Sequence, residues 1–362
     1  MKRRHVLLGA GSAALLAGAG ALGWRSAVGS AGGYEAYAGR LRAPLPAHPG
    51  IGDLVRYATL AANSHNTQPW RFRVGTGSID ILPDLSRATP AVDPDDHHLF
   101  VSLGCAAENL VIAGTASGRP GTLAPLEDGG VRYAFSESAP RAEPLLAAIA
   151  RRQSTRAVYD GRSVSAAGIE ALRRAADVPG VRAVILTDRV QVDRMRDLVV
   201  AGNDAQMADP GFMAELKDWL RFNPRSAMAR GDGLFSGSTG NPSLPDGLGR
   251  RAFDAFVTAA SENDRYARQI DSSAGIAVFL AEREDRAHWL AVGRACQRFT
   301  LTATMLGLRH AYINQPIEVV RLRHEVAALA GAPGARPDLV LRFGYGPMLP
   351  YSPRRPLASV LV

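Results

Sequence analysis

Lysine is almost absent from this 362-residue chain: only Lys2 and Lys217 occur, so the excess behind a formal charge of +8 is carried by 40 arginines. Schiff-base lysines and a phosphate-loop lysine therefore have nothing to rest on, whereas planar guanidinium forks suited to phosphate are abundant. Cysteine is scarce too. Cys105 and Cys296 form no disulfide framework, and each reads as a buried thiol in an apolar helical stretch. Aromatics make up 7% of the chain and the arginines are scattered, which argues against a nucleic-acid surface. There is no G-x-S-x-G nucleophile elbow. The run Asp95-Asp96-His97-His98 cannot aim four adjacent side chains at one ion, so it reads as a helix N-terminus with acids favoured by the dipole, and no metal site is expected.

What is present is an ordinary globular composition, 46% hydrophobic and 21% charged, long enough for one large domain or two smaller ones. Acid is missing before Glu35, and Lys2, Arg3, Arg4 and His5 precede an apolar run over 6–24. That is the charged and hydrophobic layout of a targeting segment. Arg3-Arg4 before Val6-Leu7-Leu8-Gly9 resembles a twin-arginine signal, so residues 1–30 are expected to engage that export machinery and carry the chain out of the cytoplasm, to the periplasm or beyond. If uncleaved, the run approaches the roughly 20 residues of a membrane anchor. The same route carries proteins already folded around a cofactor.

The remainder reads as a duplication. Two apolar helices, around 99–118 and 289–307, superpose at a shift of 189, which brings Gly104 onto Gly293, Ala106 onto Ala295, Thr115 onto Thr304 and Gly118 onto Gly307. Each half also has an earlier helix (51–63; 166–176), a following strand (70–74; 181–186) and a closing strand (131–135; 339–343). The expected fold class is α+β, with two α/β halves, 31–148 and 149–362, packed as an internal pseudo-dimer around the central helices. The second half carries an insertion at about 202–251, with one helix at 211–222 followed by a Gly, Ser, Pro and Asn-rich stretch; such length points to a lid or binding loop.

Three motifs carry the chemistry. Arg151-Arg152-Gln153-Ser154-Thr155-Arg156 can surround a phosphate with charge-assisted hydrogen bonds, although a solvated basic junction is the plainer reading of it alone. Asn63-Ser64-His65-Asn66-Thr67-Gln68-Pro69-Trp70 offers short amides and a hydroxyl to the polar edge of a planar heterocycle, or simply caps a helix before a strand. The tail brings Gly344-Tyr345-Gly346-Pro347 and then Ser352-Pro353-Arg354-Arg355-Pro356.

In combination these motifs resemble the nitroreductase family of flavin mononucleotide (FMN) enzymes, in its duplicated single-chain Acg-type branch, from about residue 50 to the C-terminus. The resemblance implies FMN as cofactor, its phosphate gripped by Arg152, Ser154, Thr155 and Arg156 with Arg354 or Arg355, and a partner loop of Ser64, Asn66 and Gln68. Gln315-Pro316-Ile317-Glu318 is similar to the run beside the flavin ring, so Pro316, Ile317 and Glu318 join the site; Val319 stands where the family has glycine. Each half brings different parts, which implies one flavin per monomeric chain. Hydride chemistry belongs to the flavin, so no catalytic side chain is named. The implied activity is hydride transfer from NAD(P)H through FMN to a nitroaromatic, quinone or related acceptor. A lid with Trp219, Phe222 or Phe235 as cover would instead suit an FMN-sequestering protein with little turnover.

Overall fold

The computed structural model describes residues 23–362; most of the expected export signal, residues 1–22, lies outside them. Two four-stranded antiparallel sheets flank a pair of long helices, His97–Ala116 and Arg286–Met305. The first sheet contains β1 (Trp70–Gly75), β2 (Ser78–Pro83), β3 (Gly121–Pro125) and β4 (Val131–Phe135), in the order β1-β2-β4-β3. The second contains β5 (Val181–Leu186), β8 (Gly275–Ala281), β9 (Arg309–Tyr312) and β10 (Pro337–Gly344), in the order β5-β8-β10-β9. Read from each half's first helix, Ile51–Thr59 or Ala166–Ala175, the two halves therefore run helix, two strands, long helix, two strands, with the same spatial order.

The long helices obey the shift of 189 at both ends, and each is followed two residues later by a glycine at φ +76, Gly118 and Gly307. Their contacts are reciprocal, as two-fold symmetry demands. A Cβ on Gly104 would stand 2.0 Å from the Leu290 carbonyl oxygen, and one on Gly293 would stand 2.0 Å from that of Val101. The polar pairs repeat the relation with changed chemistry: Gln297 Nε2 donates to Asn109 Oδ1 at 2.7 Å, and in the related position Arg298 donates to Glu108 at 2.8 Å. The His97–Ala116 helix is the one element among the described residues long and apolar enough to cross a membrane, yet 83% of that window is buried inside the fold. Leucines, alanines and phenylalanines of both helices and the inner sheet faces form a single core.

The halves differ where the first two strands join. β1 and β2 turn through Thr76 and Gly77, whereas β5 and β8 are separated by residues 187–274. This excursion is wider and more ordered than the expected insertion. It contains helices Arg189–Met207, Pro210–Trp219, Pro224–Arg230, Asp246–Phe256 and Ala259–Asp271, and a two-strand parallel pair, β6 (Leu220–Arg221) with β7 (Leu234–Phe235). Its first helix covers the outer face of the second sheet with Val192, Met195 and Val199. Burial follows: every residue of β10 is buried, while β1 exposes Arg71 and Arg73 on its solvent face. The tail closes the free edge of the first sheet, where Phe72 N–H donates to the Val360 carbonyl at 2.7 Å and Val362 N–H to that of Phe72 at 3.0 Å.

Candidate functional site

Between the halves, under the excursion, lies a cavity of about 430 Å³, within the roughly 300–1,000 Å³ of small-molecule sites. Its floor comes from Val101, Ser102 and Cys105 of the first long helix, with Tyr312 and Leu339. One edge is polar: Asn63, Ser64, His65, Arg156, Asn314 and Gln315. The roof is apolar and belongs to the excursion, with Phe212, Phe222, Phe235, Phe253 and Phe256. Trp219, expected as cover, lies elsewhere, with the Arg87 guanidinium 5.3 Å from its ring centre.

The polar edge is held under strain. His65, Asn66 and Gln68 have φ of 43°, 54° and 55°, an arrangement costing non-glycine residues about 1–2 kcal/mol each. What pays for it is a lattice of internal hydrogen bonds. Asn66 Nδ2 donates to the carbonyls of Gly233 and Pro353 (both 3.1 Å), and Arg354 donates to its Oδ1 at 2.8 Å. Gln68 Nε2 donates to the Gly231 carbonyl at 2.8 Å, and its Oε1 accepts from Arg355 N–H at 2.9 Å. Asn66 and Gln68 thus fasten the loop to the excursion and the tail and do not line the cavity; Ser64 does.

The other expected residues divide in the same way. Arg156 reaches the cavity and has no carboxylate within ion-pairing distance among the described residues; Glu318 also lines it. Thr155 turns its hydroxyl to Gln153 Oε1 (3.0 Å), and its N–H donates to the His310 carbonyl (2.8 Å) in the bridge that also holds Ser154 beside β9. Pro316 and Ile317 are buried in the short helix Gln315–Glu318, where Val319 N–H donates to the Gln315 carbonyl at 3.1 Å, so that backbone N–H is already engaged. Arg355 bonds the Gln68 carbonyl and Ser359, with Asp84 at 3.6 Å. These five residues, Ser154, Thr155, Pro316, Ile317 and Arg355, brace the site from outside the cavity.

Arg152 and Arg354, which the sequence places in one phosphate grip, do meet, in a cluster whose third member the sequence did not show. Neither lines the cavity; both guanidiniums converge on the end of the Ile51–Thr59 helix, just before Ala62 and Asn63, which do: Arg152 donates to the Leu60 carbonyl (3.0 Å), Arg354 to those of Thr59 (2.6 Å), Leu60 (3.1 Å) and Ala61 (3.0 Å). Arg42, after the Ala31–Leu41 helix, is the third member, 4.0 Å from the ring centre of Tyr351. All three are buried, and none is ion-paired to a carboxylate among the described residues. Arg42 Nε and Nη1 and Arg152 Nε have no hydrogen-bond partner. Burial pushes Arg42 down to about 10, with Arg152 lowering it further, and holds Arg354 well below the usual guanidinium range, with Arg42 and Arg152 adding to the effect. Two of these three buried cations keep unpartnered N–H groups with no acid beside them, an arrangement whose electrostatics would suit an anion; Arg354 has all of its N–H groups engaged. Arg42 carries no local signal, since its neighbours Tyr351 and Arg354 lie at the other end of the chain.

His65 Nδ1, Ser236 Oγ and Gln315 Oε1 are likewise buried without partners at the cavity wall. With Arg156 and the aromatic roof, they fit a planar heterocycle whose edge carries donors and acceptors.

Beside Glu318 lies a second, smaller void lined by Asp93, Asp95, His97, His98, Arg323 and Arg336. Asp93, His97 and His98 bring ligand atoms within 4.8 Å of one another. The two arginines oppose a cation there, and both Asp93 oxygens accept backbone N–H groups, from His98 at 2.9 Å and Leu99 at 3.0 Å. Asp93 is therefore the acid that caps the long helix. Asp95, expected in that role, pairs with Arg336 (2.6 Å), and the Asp96 side chain makes no cap hydrogen bond.

His97, His98 and His310 are buried and His65 half-buried, and burial disfavours their charged forms: His65 and His97 are pushed down to about 4, His98 is lowered, and His310 lies well below its usual value. In the unfolded chain they protonate near pH 6.5, so folded stability is lost as pH falls below that value. Asp338, pushed up to about 6 by burial, and Glu318, also raised by burial, act in the opposite sense and cancel part of the uptake. Acidification from pH 7 to 5 should lower the urea midpoint, with each uncancelled proton contributing about 1.4 kcal/mol per pH unit. A midpoint constant over that range would mean that these imidazoles are not held neutral.

No family model matches the chain. It is similar to a Mycobacterium tuberculosis protein provisionally named an NAD(P)H nitroreductase, 29% identical over 324 residues, covering 86% of this chain and 90% of that one. The provisionally named NAD(P)H nitroreductase acg of the same species is 25% identical over 334 residues, covering 86% and 94%. Among solved structures, the FMN-dependent nitroreductase NfnB of Mycobacterium smegmatis in complex with NADPH aligns at a TM-score of 0.39 and 14% identity, over 59% of this chain and 94% of that one. A Bacteroides fragilis nitroreductase with bound FMN aligns at 0.36 and 15%, over 57% and 90%.

Proposed function

We propose that the chain is an FMN-binding oxidoreductase of the nitroreductase type, holding one flavin between its halves. The observation that carries this reading is the pairing of an acid-free trio of buried arginines with an adjoining aromatic cavity whose polar edge has unpartnered groups. The names of the full-length relatives agree with it. Arg42 and Arg152 would hold the phosphate through their unpartnered N–H groups, with Arg354 adding positive charge and Ser154 close by, while Ser64, His65, Arg156 and Gln315 would meet the ring's polar edge. FMN supplies hydride transfer when bound. The chain's own part is to bind and orient it, exclude water and bring in the acceptor, a nitroaromatic or quinone, after NAD(P)H has supplied the hydride.

The roof favours attention to a second reading, an FMN-sequestering protein. Phe222 and Phe235 cover the cavity, and the roof is pinned by Asp232, which accepts from Arg221 at 2.7 Å and pairs with Arg87. The twin-arginine-like segment supports export of the folded, flavin-loaded monomer. Purified protein should be yellow and hold one FMN per chain; protein that stays colourless after incubation with FMN sinks the proposal. Anaerobic mixing with NADH and NADPH separates the readings: bleaching of the flavin band near roughly 450 nm supports a reductase, and an unchanged band supports sequestration.

A further inference from the structure

The FMN reading leaves unexplained why a row of ionisable groups leads from the cavity to the surface. Glu318 lines the cavity, and its Oε2 accepts from Gln206 at 2.6 Å. Its Oε1 lies 3.6 Å from His98 Nδ1. The His98 and His97 rings are 4.8 Å apart between centres, and His97 Nε2 meets Asp338 Oδ1 at 2.8 Å. The small void touches Glu318, both histidines and Asp95, and at about 10 Å³ it has room for roughly one water. Asp95 opens it to solvent, with its side chain 40% exposed.

Resting on the proposed oxidoreductase function, we propose that Glu318 is the proton donor to the acceptor bound in the cavity, and that His98, with His97 and the small void, returns the proton from solvent. The chemistry requires such a donor. A quinone that receives one hydride becomes a hydroquinone monoanion, and its second O–H bond forms as the Glu318 O–H bond breaks. The Glu318 carboxylate then takes a proton from His98 Nδ1 as the other ring nitrogen of His98 takes one from solvent, so the imidazole ends with as many protons as it began with. Both electrons arrive with the hydride, supplied by flavin that the nicotinamide donor has reduced.

The surroundings suit the role. Glu318 is faced by Asp93 and Glu215, which favour its protonated form, and by His98 and Gln206, which favour the anion; Tyr266 packs nearby. Burial is the largest influence and pushes the Glu318 carboxyl up. His98 is faced by Asp93, Glu318, His97 and Arg336. It therefore sits between two acids and two groups that oppose its charge, a balance suited to passing a proton without keeping it.

The test uses full-length protein with FMN bound, reduced photochemically so that no nicotinamide step intervenes, and mixed anaerobically with benzoquinone. Glu318→Gln should slow reoxidation about 100-fold, within the range of a general acid. Glu318→Ala should recover at least about fivefold as acetic acid is added at fixed pH, and His98→Gln should slow increasingly as pH rises; rescue and pH dependence would not accompany a purely structural role. Reoxidation of Glu318→Gln within twofold of wild type, or no response of Glu318→Ala to acetic acid, would overturn the proposal while leaving the flavin reading intact. Colourless wild-type protein would overturn the flavin reading itself. A measurement free of flavin remains: Glu318→Gln should move the titration of the His98 imidazole seen by NMR, and an unmoved resonance would break the relay.

Discussion

Gly293→Ala is expected to destabilise the protein by more than about 4 kcal/mol or to prevent folding, an effect reserved for overpacking and similar core failures. The new Cβ would sit 2.0 Å from the Val101 carbonyl oxygen and 2.9 Å from Cys105 N, both backbone atoms of the facing helix. Side chains can rotate away from an added methyl group, but a helix backbone cannot. The two helices would have to separate, loosening Gln297 from Asn109 and Glu108 from Arg298 together. Gly104→Ala should fail in the same way, against the Leu290 carbonyl. Gly307→Ala is the control: its added Cβ meets nothing within 4 Å, so only the strain of φ +76 remains, about 1–2 kcal/mol. Urea midpoints order the three variants; Gly293→Ala as stable as Gly307→Ala would contradict the close helix crossing.

Arg42→Met should separate stability from cofactor affinity. Removing a buried guanidinium whose Nε and Nη1 have no partner relieves an uncompensated charge beside Arg152 and Arg354, so the flavin-free protein should gain about 1–3 kcal/mol. Removing a charge-assisted donor to a phosphate should cost about 1.5–3 kcal/mol of binding, roughly 10- to 150-fold in FMN dissociation constant. The two effects have opposite signs, which a simple packing defect would not produce. Thermal unfolding without FMN and fluorescence titration with FMN measure them separately. A variant that is both less stable and unchanged in affinity would remove Arg42 from the site.

Much of the scaffold was legible because it is written in local pattern. Gly104, Gly118, Gly293 and Gly307 are glycines for reasons visible at a distance of 189 residues: two permit a backbone contact and two end helices at positive φ. Strand alternation and the helix at Ile51–Thr59 were likewise readable. The site was less so. Ser64, Arg156 and Glu318 reach the cavity, but Asn66, Gln68 and Arg355 spend their polar groups on neighbouring backbone. A motif records that amides and guanidiniums are needed, not whether a ligand or a carbonyl receives them. Arg42 and His98 could not be recovered, because their partners arrive from remote segments. The excursion was read too short and too loose for a related reason: glycine- and serine-rich composition around 231–241 suggested an open loop, yet β7 and a short 3-10 turn order it, with Phe235 against Tyr34 and β7 paired to β6.

The arginine trio also sets an order of events. Arg42 follows the Ala31–Leu41 helix, Arg152 comes from the junction of the halves and Arg354 from the tail, while Tyr34 and Tyr37 donate to the carbonyls of Tyr351 (2.6 Å) and Arg354 (2.5 Å). No emerging fragment of the chain holds all three guanidiniums, and the last of them leaves the ribosome only after both sheets have been synthesised. An anion can enter the cluster once translation is over and the two ends of the polypeptide have found each other. Cofactor loading at this site would thus be a final step of maturation, and a chain truncated before Arg354 should fold its first sheet without ever acquiring the proposed phosphate site.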